Sequence, residues 1–572
     1  MDDELRQRAI AWIAGDPDPE MRAALETLLA DEDEAALRAA IDGVLEFGTA
    51  GIRGVVGPGP LRMNRAVVIR TTRGLADFLD RDDPNHAKRG VVVGFDGRRD
   101  SAAFADDTVA VLAAAGFVVH FFPTPQPTPL VAYAQRVLGA AAAVVITASH
   151  NPPEYNGYKV YFTGAAQIVP PVDAAIASAI EAVGPAKDVP YADTANDEHV
   201  RRLGGDVLDR YLAELAAARP VVEGPDRRIV YTPLHGVGGP LVTRALAAGG
   251  YSSVHVVAEQ AEPDGEFPTV DFPNPEEPGA MDAALELARE VSADLVLAND
   301  PDADRIAAAV PDGRGYRLLT GNEIGVLLAD HLLRHADADR PLVVASIVST
   351  PMLASIAEHY GARAEFTLTG FKWICAAARE LERAEGYRFV YGFEEALGSS
   401  VGTVVRDKDG IGAAVAFADL ARQLAGDGHQ VLDRLDELAL THGLWVSDQL
   451  AITRPGVQGR KEIDDAMAVL ERTTPTELAG HPVESVTDYR VDADARPAWL
   501  GEHDLVELQL TDGRAMIRPS GTEPKCKIYV DLRTSIGALD EIHDAHRELR
   551  DETREVARAL AQFVGFETND MA

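Results

Sequence analysis

The fold class predicted for this chain is α/β, divided among several domains, and three observations predict it. At 572 residues it is too long for one hydrophobic core, and length alone suggests about three to five domains. Short apolar strands alternate with amphipathic helices, the order that builds mainly parallel sheets covered by helices. The stretches richest in chemistry follow strand-like runs, after Ile146, Tyr231, Ala298 and Tyr391, and such sheets carry function in loops beyond the carboxyl ends of their strands.

Taken in order, residues 1–45 alternate acidic and apolar positions at helical spacing, with Asp16-Pro-Asp-Pro as a break between two helices. Trp12, Leu28, Leu29, Leu37 and Ile41 are expected to face a core, and no chemistry is assigned to the stretch. Phe47 to Gly59 is glycine-dense and aperiodic, a loop in which Arg53 stands out. A helix from about Asn64 to Leu79, a strand from Gly90 to Gly94, a helix from Ala102 to Ala115 and a strand from Phe117 to Phe122 follow. Ala140 to Ile146 reads as a buried strand ending in a polar loop. The acidic patch from Asp193 to Asp206 is the nearest thing to a linker. Thr232-Pro-Leu-His-Gly-Val-Gly-Gly reads as a structural turn, helices are expected from Gly321 and from Ile411 to Ala425, and a long amphipathic helix from Leu539 to Phe563 closes the chain.

The formal net charge of −37 argues against nucleic acid or an anionic membrane as partner, because both would repel this surface. An anionic substrate would then require a local cluster of Arg and Lys. The two cysteines, Cys375 and Cys526, cannot make a disulfide framework and suggest a reducing compartment. An acidic N-terminus and the lack of an apolar run near 18 residues make a cytoplasmic location the expectation.

Four loops carry the chemistry. Thr147 to Lys159 offers the Ser149 hydroxyl, followed directly by His150 and ten positions later by Lys159, on a turn stiffened by Pro152 and Pro153. Asn299 to Arg305 spaces Asp300, Asp302 and Asp304 with small or rigid residues, so three carboxylates can turn to one point as a hard cation such as Mg²⁺ prefers. An EF-hand is excluded, since Arg305 replaces the turn glycine and Pro311 the bidentate glutamate. Gly392 to Gly398 puts Glu394 and Glu395 on a glycine-bounded loop suited to sugar hydroxyls. Arg518 to Lys525 combines an arginine fork, the hydroxyls of Ser520 and Thr522, and Gly521, which together suit a phosphate dianion. Lys372, at a helix start after Thr369 and Gly370, and Lys408 are further candidates for the same anion.

Thr-Ala-Ser-His-Asn-Pro with its following Asn-Gly-Tyr-Lys, Asp-Pro-Asp-Ala-Asp-Arg, Gly-Phe-Glu-Glu-Ala-Leu-Gly and Arg-Pro-Ser-Gly-Thr-Glu-Pro-Lys, in this order, resemble the four signature loops of the α-D-phosphohexomutases. The likeness runs from about Phe47 to Tyr529 and is greatest to the long-chain phosphoglucomutase and phosphopentomutase branch. It implies four domains around a central cleft: three similar mixed-sheet α/β domains and a smaller C-terminal α+β domain, here 1–210, 211–319, 320–444 and 445–572. It implies that Ser149 rests as phosphoserine and ligates Mg²⁺ with Asp300, Asp302 and Asp304. Arg53, His150 and Lys159 would assist transfer. Arg305, Thr369, Gly370, Lys372, Glu394, Glu395, Lys408, Arg518, Ser520, Gly521 and Thr522 would hold the sugar phosphate.

The activity implied is reversible conversion of α-D-glucose 1-phosphate and glucose 6-phosphate through a 1,6-bisphosphate, which also serves as activator. Family members often have a serine and then a histidine after the sugar-loop glutamate, where this chain has Ala396, Leu397 and Gly398. Mannose or ribose phosphates therefore stay open as substrates. So do a bisphosphate synthase and, outside enzymes, a sugar-phosphate sensor. A Ser-His hydrolase is excluded by the lack of a Gly-x-Ser-x-Gly elbow. The sequence leaves the general base and the oligomeric state open.

Overall fold

The computed structural model describes residues 2–454, 456–519 and 525–567. They form two compact units, one of residues 1–319 and 398–422, the other of residues 320–397 and 423–572.

The first unit opens with three helices where two were expected: Asp3–Gly15, Pro19–Ala30 and Glu34–Ile41. The second break arises because Asp33 accepts a hydrogen bond from Ala36 N (3.0 Å) and restarts the helix as its cap. Leu37 and Ile41 are buried in the small core these helices share, while Trp12, Leu28 and Leu29 are only partly buried against it.

A six-stranded sheet follows, in the spatial order Ile52–Val55, Tyr155–Tyr161, Ala142–Ile146, Val91–Phe95, Val119–Phe121 and Val200–Arg202. Its central strands are apolar throughout, because helices such as Arg65–Asp82 and Thr128–Leu138 pack on it. Parallel pairing sets Phe95 opposite Ile146, so the loops beginning at Asp96 and Thr147 leave the same sheet edge side by side. Antiparallel pairing sets Arg53 opposite Gly157 and Val145 opposite Lys159. The acidic patch read as linker-like contains the strand Val200–Arg202, which adds to the sheet parallel to Val119–Phe121. Its half-exposed edge position explains why hydrophobicity gave no sign of it.

The second sheet runs Tyr316–Leu318, Ala307–Pro311, Leu295–Ala298, Arg228–Thr232 and Ser253–Val256, parallel about Arg228–Thr232 and antiparallel beyond Leu295–Ala298. Ala298 lies opposite Thr232, so the metal-type loop and the 232–239 turn emerge together. That turn is structural: Val237 N donates to Pro301 O (2.8 Å), and a Cβ on Gly236 would lie 2.4 Å from Pro301 Cα.

In the second unit, Arg363–Thr367, Pro341–Ser346 and Arg388–Phe393 pair in parallel, with the helices Gly321–Arg334 and Phe371–Glu385 beside them. An antiparallel sheet completes it, in the order Leu444–Thr453, Lys525–Thr534, Gly513–Pro519, Val506–Leu510, His481–Asp488 and Glu477–Leu478. The helix Ile542–Phe563 buries Ile542, Leu549, Val556 and Leu560, as its periodicity requires. Leu539 precedes the helix in a short 3-10 turn and is 52% exposed. Cys375 and Cys526 are buried thiols. Among the described residues no helix is long and apolar enough to cross a membrane.

Candidate active site

Within the first unit, the loop after Ile146 meets the loop after Ala298. Ser149 sits in the left-handed region at φ +53°, and Ala303 does the same at φ +56°. Non-glycine residues hold such conformations only where surrounding bonds impose them. For Ser149 those bonds are visible. Its N–H donates to Thr147 Oγ1 (2.8 Å), and its carbonyl accepts from Arg98 Nη2 (2.8 Å). The Ser149 hydroxyl then donates to Asp300 Oδ2 (2.7 Å) and lies 3.2 Å from His150 Nδ1.

The three aspartates are fully buried, and one oxygen from each falls within 4.8 Å of the others. Lys159 Nζ donates to Asp302 Oδ2 (2.7 Å) and Asp304 Oδ2 (3.0 Å). Lys408 also donates to Asp304, and the adjacent Asp407 accepts from Tyr161 Oη (2.6 Å). Arg305 N donates to Asp300 Oδ1 (2.9 Å), which folds the loop back on itself. Arg53 reaches Asn151 Oδ1 (2.8 Å) of the serine loop. The cationic cluster that the net charge of −37 demanded is present: Arg53, Lys159 and Lys408 hydrogen-bond within the site, and the charge of Arg305 acts on His150 and Asp300.

Burial and the charges of Asp302 and Asp304 push Asp300 well above the ordinary carboxylate range. Burial alone would raise Asp302 and Asp304 too, but Lys159 and Lys408 outweigh it and hold both low. Lys159 is raised, its burial overcome by the same two carboxylates, and is a cation at neutral pH. His150 is driven well below the usual histidine range by burial and by Arg305 and Arg53, so its ring is neutral.

The site fits a hard divalent cation. Asp302 Oδ1 and Asp304 Oδ1 are buried with no hydrogen-bond partner. Orphaned carboxylate oxygens converging with a third carboxylate and a hydroxyl form an all-oxygen donor set of the kind Mg²⁺ takes.

Two residues of this site were not singled out from sequence. Thr128 is fully buried and donates to Asp302 Oδ2 (2.6 Å), although it lies 174 positions earlier. Arg98 donates to the carbonyls of Ser149, Asn151 (2.5 Å), Pro152 (2.7 Å) and Tyr155 (3.0 Å). One guanidinium thus holds the whole serine loop from beneath. Asp-Gly-Arg-Arg-Asp after a strand was a signal for a polar loop, yet nothing in it told which arginine turns inward.

The second unit holds the remaining described candidates. Glu394 Oε1 accepts from Gly370 N (2.8 Å), and Gly370, at φ +109°, caps the helix carrying Lys372, whose Cε lies 3.4 Å from where a Cβ on Gly370 would sit. Thr369 is half-buried just before it. Glu395 accepts from Ser346 Oγ (3.0 Å) and Ser349 Oγ (3.4 Å), bonds that brace its own loop. Arg514, next to the phosphate-type loop, is spent on Asp531 Oδ2 (2.8 Å) and Ser349 O (2.6 Å). His503, not singled out from sequence, has a buried Nε2 without a partner, and burial together with Arg518 and Lys372 lowers it to about 4. Arg518 is half-buried at the end of Gly513–Pro519, while Ser520, Gly521 and Thr522 lie outside the described residues.

Residues 44–187, 209–313 and 320–438 match the phosphoglucomutase/phosphomannomutase α/β/α domains I, II and III, and residues 467–549 match the C-terminal domain of that family. A Haemophilus influenzae protein named "Probable phosphomannomutase" is 42% identical over 82% of this chain and 93% of its own. A Schizosaccharomyces pombe protein named "Probable phosphoribomutase" is 35% identical over 93% of this chain and 94% of its own. A Staphylococcus epidermidis phosphoglucomutase is 32% identical over 86% and 91%. The solved open form of parafusin, a Paramecium phosphoglucomutase, is similar in fold, with TM-score 0.67 at 17% identity over 92% of this chain and 96% of that one.

Proposed function

The chain belongs to the phosphoglucomutase/phosphomannomutase family and is an enzyme of that class, and from this premise we propose that it interconverts α-D-glucose 1-phosphate and glucose 6-phosphate through a phosphorylated Ser149. The observation that carries the reading is the Ser149 hydroxyl, held 2.7 Å from Asp300 inside a buried three-carboxylate, two-lysine cluster.

Ser149 carries the phosphoryl group at rest, with roughly two negative charges. Asp300, Asp302 and Asp304, with one phosphate oxygen, would hold Mg²⁺, which supplies charge neutralisation at phosphorus when bound. Phosphoryl transfer needs positioning and charge screening more than covalent help. Lys159, Arg53, Arg305 and Lys408 screen the phosphate, and His150 orients the seryl oxygen. As the sugar hydroxyl attacks, its oxygen gives up its proton and bonds to phosphorus, while the bond from phosphorus to Ser149 Oγ breaks and Oγ takes up a proton. The product is a 1,6-bisphosphate and a free serine, and return of the other phosphate completes the cycle. Free bisphosphate would re-phosphorylate Ser149 and so act as activator.

Glu394 selects sugar hydroxyls, and its bond to Gly370 sets it beside Lys372 and Thr369. Lys372 and Arg518, with Ser520, Gly521 and Thr522, take the non-reacting phosphate, while Glu395 contributes by holding the sugar loop in shape. A division of the chain at residues 210, 319 and 444 belongs to the same reading and is supported by the four matched family regions.

A pentose phosphate is the second reading, favoured by Ala396 and Leu397 in the sugar loop and by the relative named for phosphoribose. The test has two parts. Ser149→Ala should abolish turnover, and residual activity above about one part in a thousand would overturn the phosphoserine role. Rates measured on glucose, mannose and ribose phosphates then rank the substrates, and a preference for ribose overturns the glucose assignment alone.

A further inference from the structure

Where the N-terminal helices pack on the first sheet's helices, the first unit contains a cavity of about 610 Å³. None of the residues lining it belongs to the site described above. Its walls are mainly apolar, from Trp12 of the first helix, Ile41 and Val44 after the third, Ala66 of the helix Arg65–Asp82, and Pro185. Two arginines, Arg8 and Arg70, complete the lining.

The arginines differ in their partners. Arg8 has a counter-ion, since its Nη2 lies 2.8 Å from Asp42 Oδ1. Arg70 makes no ion pair among the described residues. It donates from Nη2 to the carbonyl of Val183 (3.1 Å), stands 5.9 Å from the Trp12 ring centroid, and has a buried Nε with no partner. Burial lowers its pKa, with no acidic neighbour to offset the effect. In a chain with 91 acidic and 54 basic side chains, a half-buried guanidinium with no carboxylate beside it among the described residues stands out.

We propose that this cavity is a second ligand site, taking a small amphipathic anion: a flat apolar body of one or two rings that carries a carboxylate or phosphate. Its volume falls within the roughly 300–1,000 Å³ of ordinary small-molecule pockets, and an apolar lining with one convergent charged group is their usual composition. The anionic group meets the Arg70 fork, and the ring lies against Trp12 and Pro185. An isolated apolar molecule would leave Arg70 uncompensated, and a free inorganic anion would leave the apolar walls wet.

The probes are 2-naphthoate and 2-naphthyl phosphate, with the uncharged 2-naphthamide as control, titrated calorimetrically into the full-length enzyme. At least one anion should bind at one site per chain, and saturating glucose 6-phosphate should not displace it. Arg70→Gln should weaken binding roughly 10- to 100-fold, as expected for a lost charge-assisted hydrogen bond. Val44→Asp should weaken it as well, because Val44 lines the cavity and is 60% exposed, so the fold tolerates there a carboxylate that repels the anion. The second variant keeps Arg70, so it decides the matter if Arg70→Gln fails to fold. The proposal is overturned if neither anion binds, if the amide binds as tightly as the anions, if glucose 6-phosphate displaces the probe, or if Val44→Asp retains wild-type affinity.

Discussion

Arg98 is the support on which Ser149 rests, and replacing it with lysine separates geometry from charge. Its side chain is 2% exposed, its Nε lies 3.3 Å from Asp96 Oδ2, and its two terminal nitrogens satisfy four carbonyls of the loop 149–155. A hydrogen bond from a charged donor contributes about 1.5–3 kcal/mol. Four of them give a gross value of roughly 6–12 kcal/mol, offset in part by the cost of burying the guanidinium. Lysine keeps the charge but has one nitrogen and no planar fork, so it reaches at most two of the four carbonyls. We expect a stability loss of about 2–4 kcal/mol, within the range for a broken buried network. Ser149 loses its imposed left-handed conformation, and a displacement near 1 Å costs about 100-fold in rate. Guanidinium denaturation measures the first effect. Turnover and the extent of Ser149 phosphorylation by mass spectrometry, at a temperature where the variant is fully folded, measure the second. A folded Arg98→Lys enzyme with unchanged kcat would refute the reasoning, because the four bonds would then be dispensable for holding the serine.

Further outcomes follow from the same contacts. Thr128→Val removes the hydroxyl that donates to Asp302 and should lower Mg²⁺ affinity roughly 10- to 100-fold, read from the Mg²⁺ dependence of turnover. Gly321→Ala would set a Cβ 1.9 Å from the carbonyl of Glu395, so the sugar loop must shift; KM should rise more than kcat falls, and unchanged kinetics would mean the loop position is unimportant. Asp409 is buried and raised to about 6 by burial, although Tyr211 and the N–H groups of Ile411 and Gly412 donate to its Oδ1. Because its folded pKa exceeds the unfolded value of 3.8, ionising it costs stability progressively as pH rises from about 4 to 6, on the order of 3 kcal/mol in full. Asparagine keeps the Oδ1 acceptor without the charge, so Asp409→Asn should gain stability over wild type across that interval in urea melts, and a pH-independent difference would contradict the assignment.

The sequence alone carries the α/β class, the strands Val91–Phe95, Val119–Phe121, Ala142–Ile146 and Leu295–Ala298, and the polar loops holding Ser149, Asp300 and Glu394. Those features are written locally: apolar runs such as 142–146 bury on both faces, while Pro, Gly, Asn and Asp clusters stop them. It also determined that Asp300, Asp302 and Asp304 could turn to one point, because their spacing is short. The edge strand Val200–Arg202 stayed hidden because an exposed strand has no apolar period to read. The extra N-terminal helix break stayed hidden because one aspartate among many makes the cap. Which distant groups meet at the site depends on long-range packing. Thr128 meets Asp302 across 174 positions, Lys408 reaches Asp304 across 104, and Arg98 turns inward while Arg99 pairs with Glu266 at the surface. Side-chain direction at such positions is set by the register of strands and the packing of helices, which are long-range balances that no local pattern encodes.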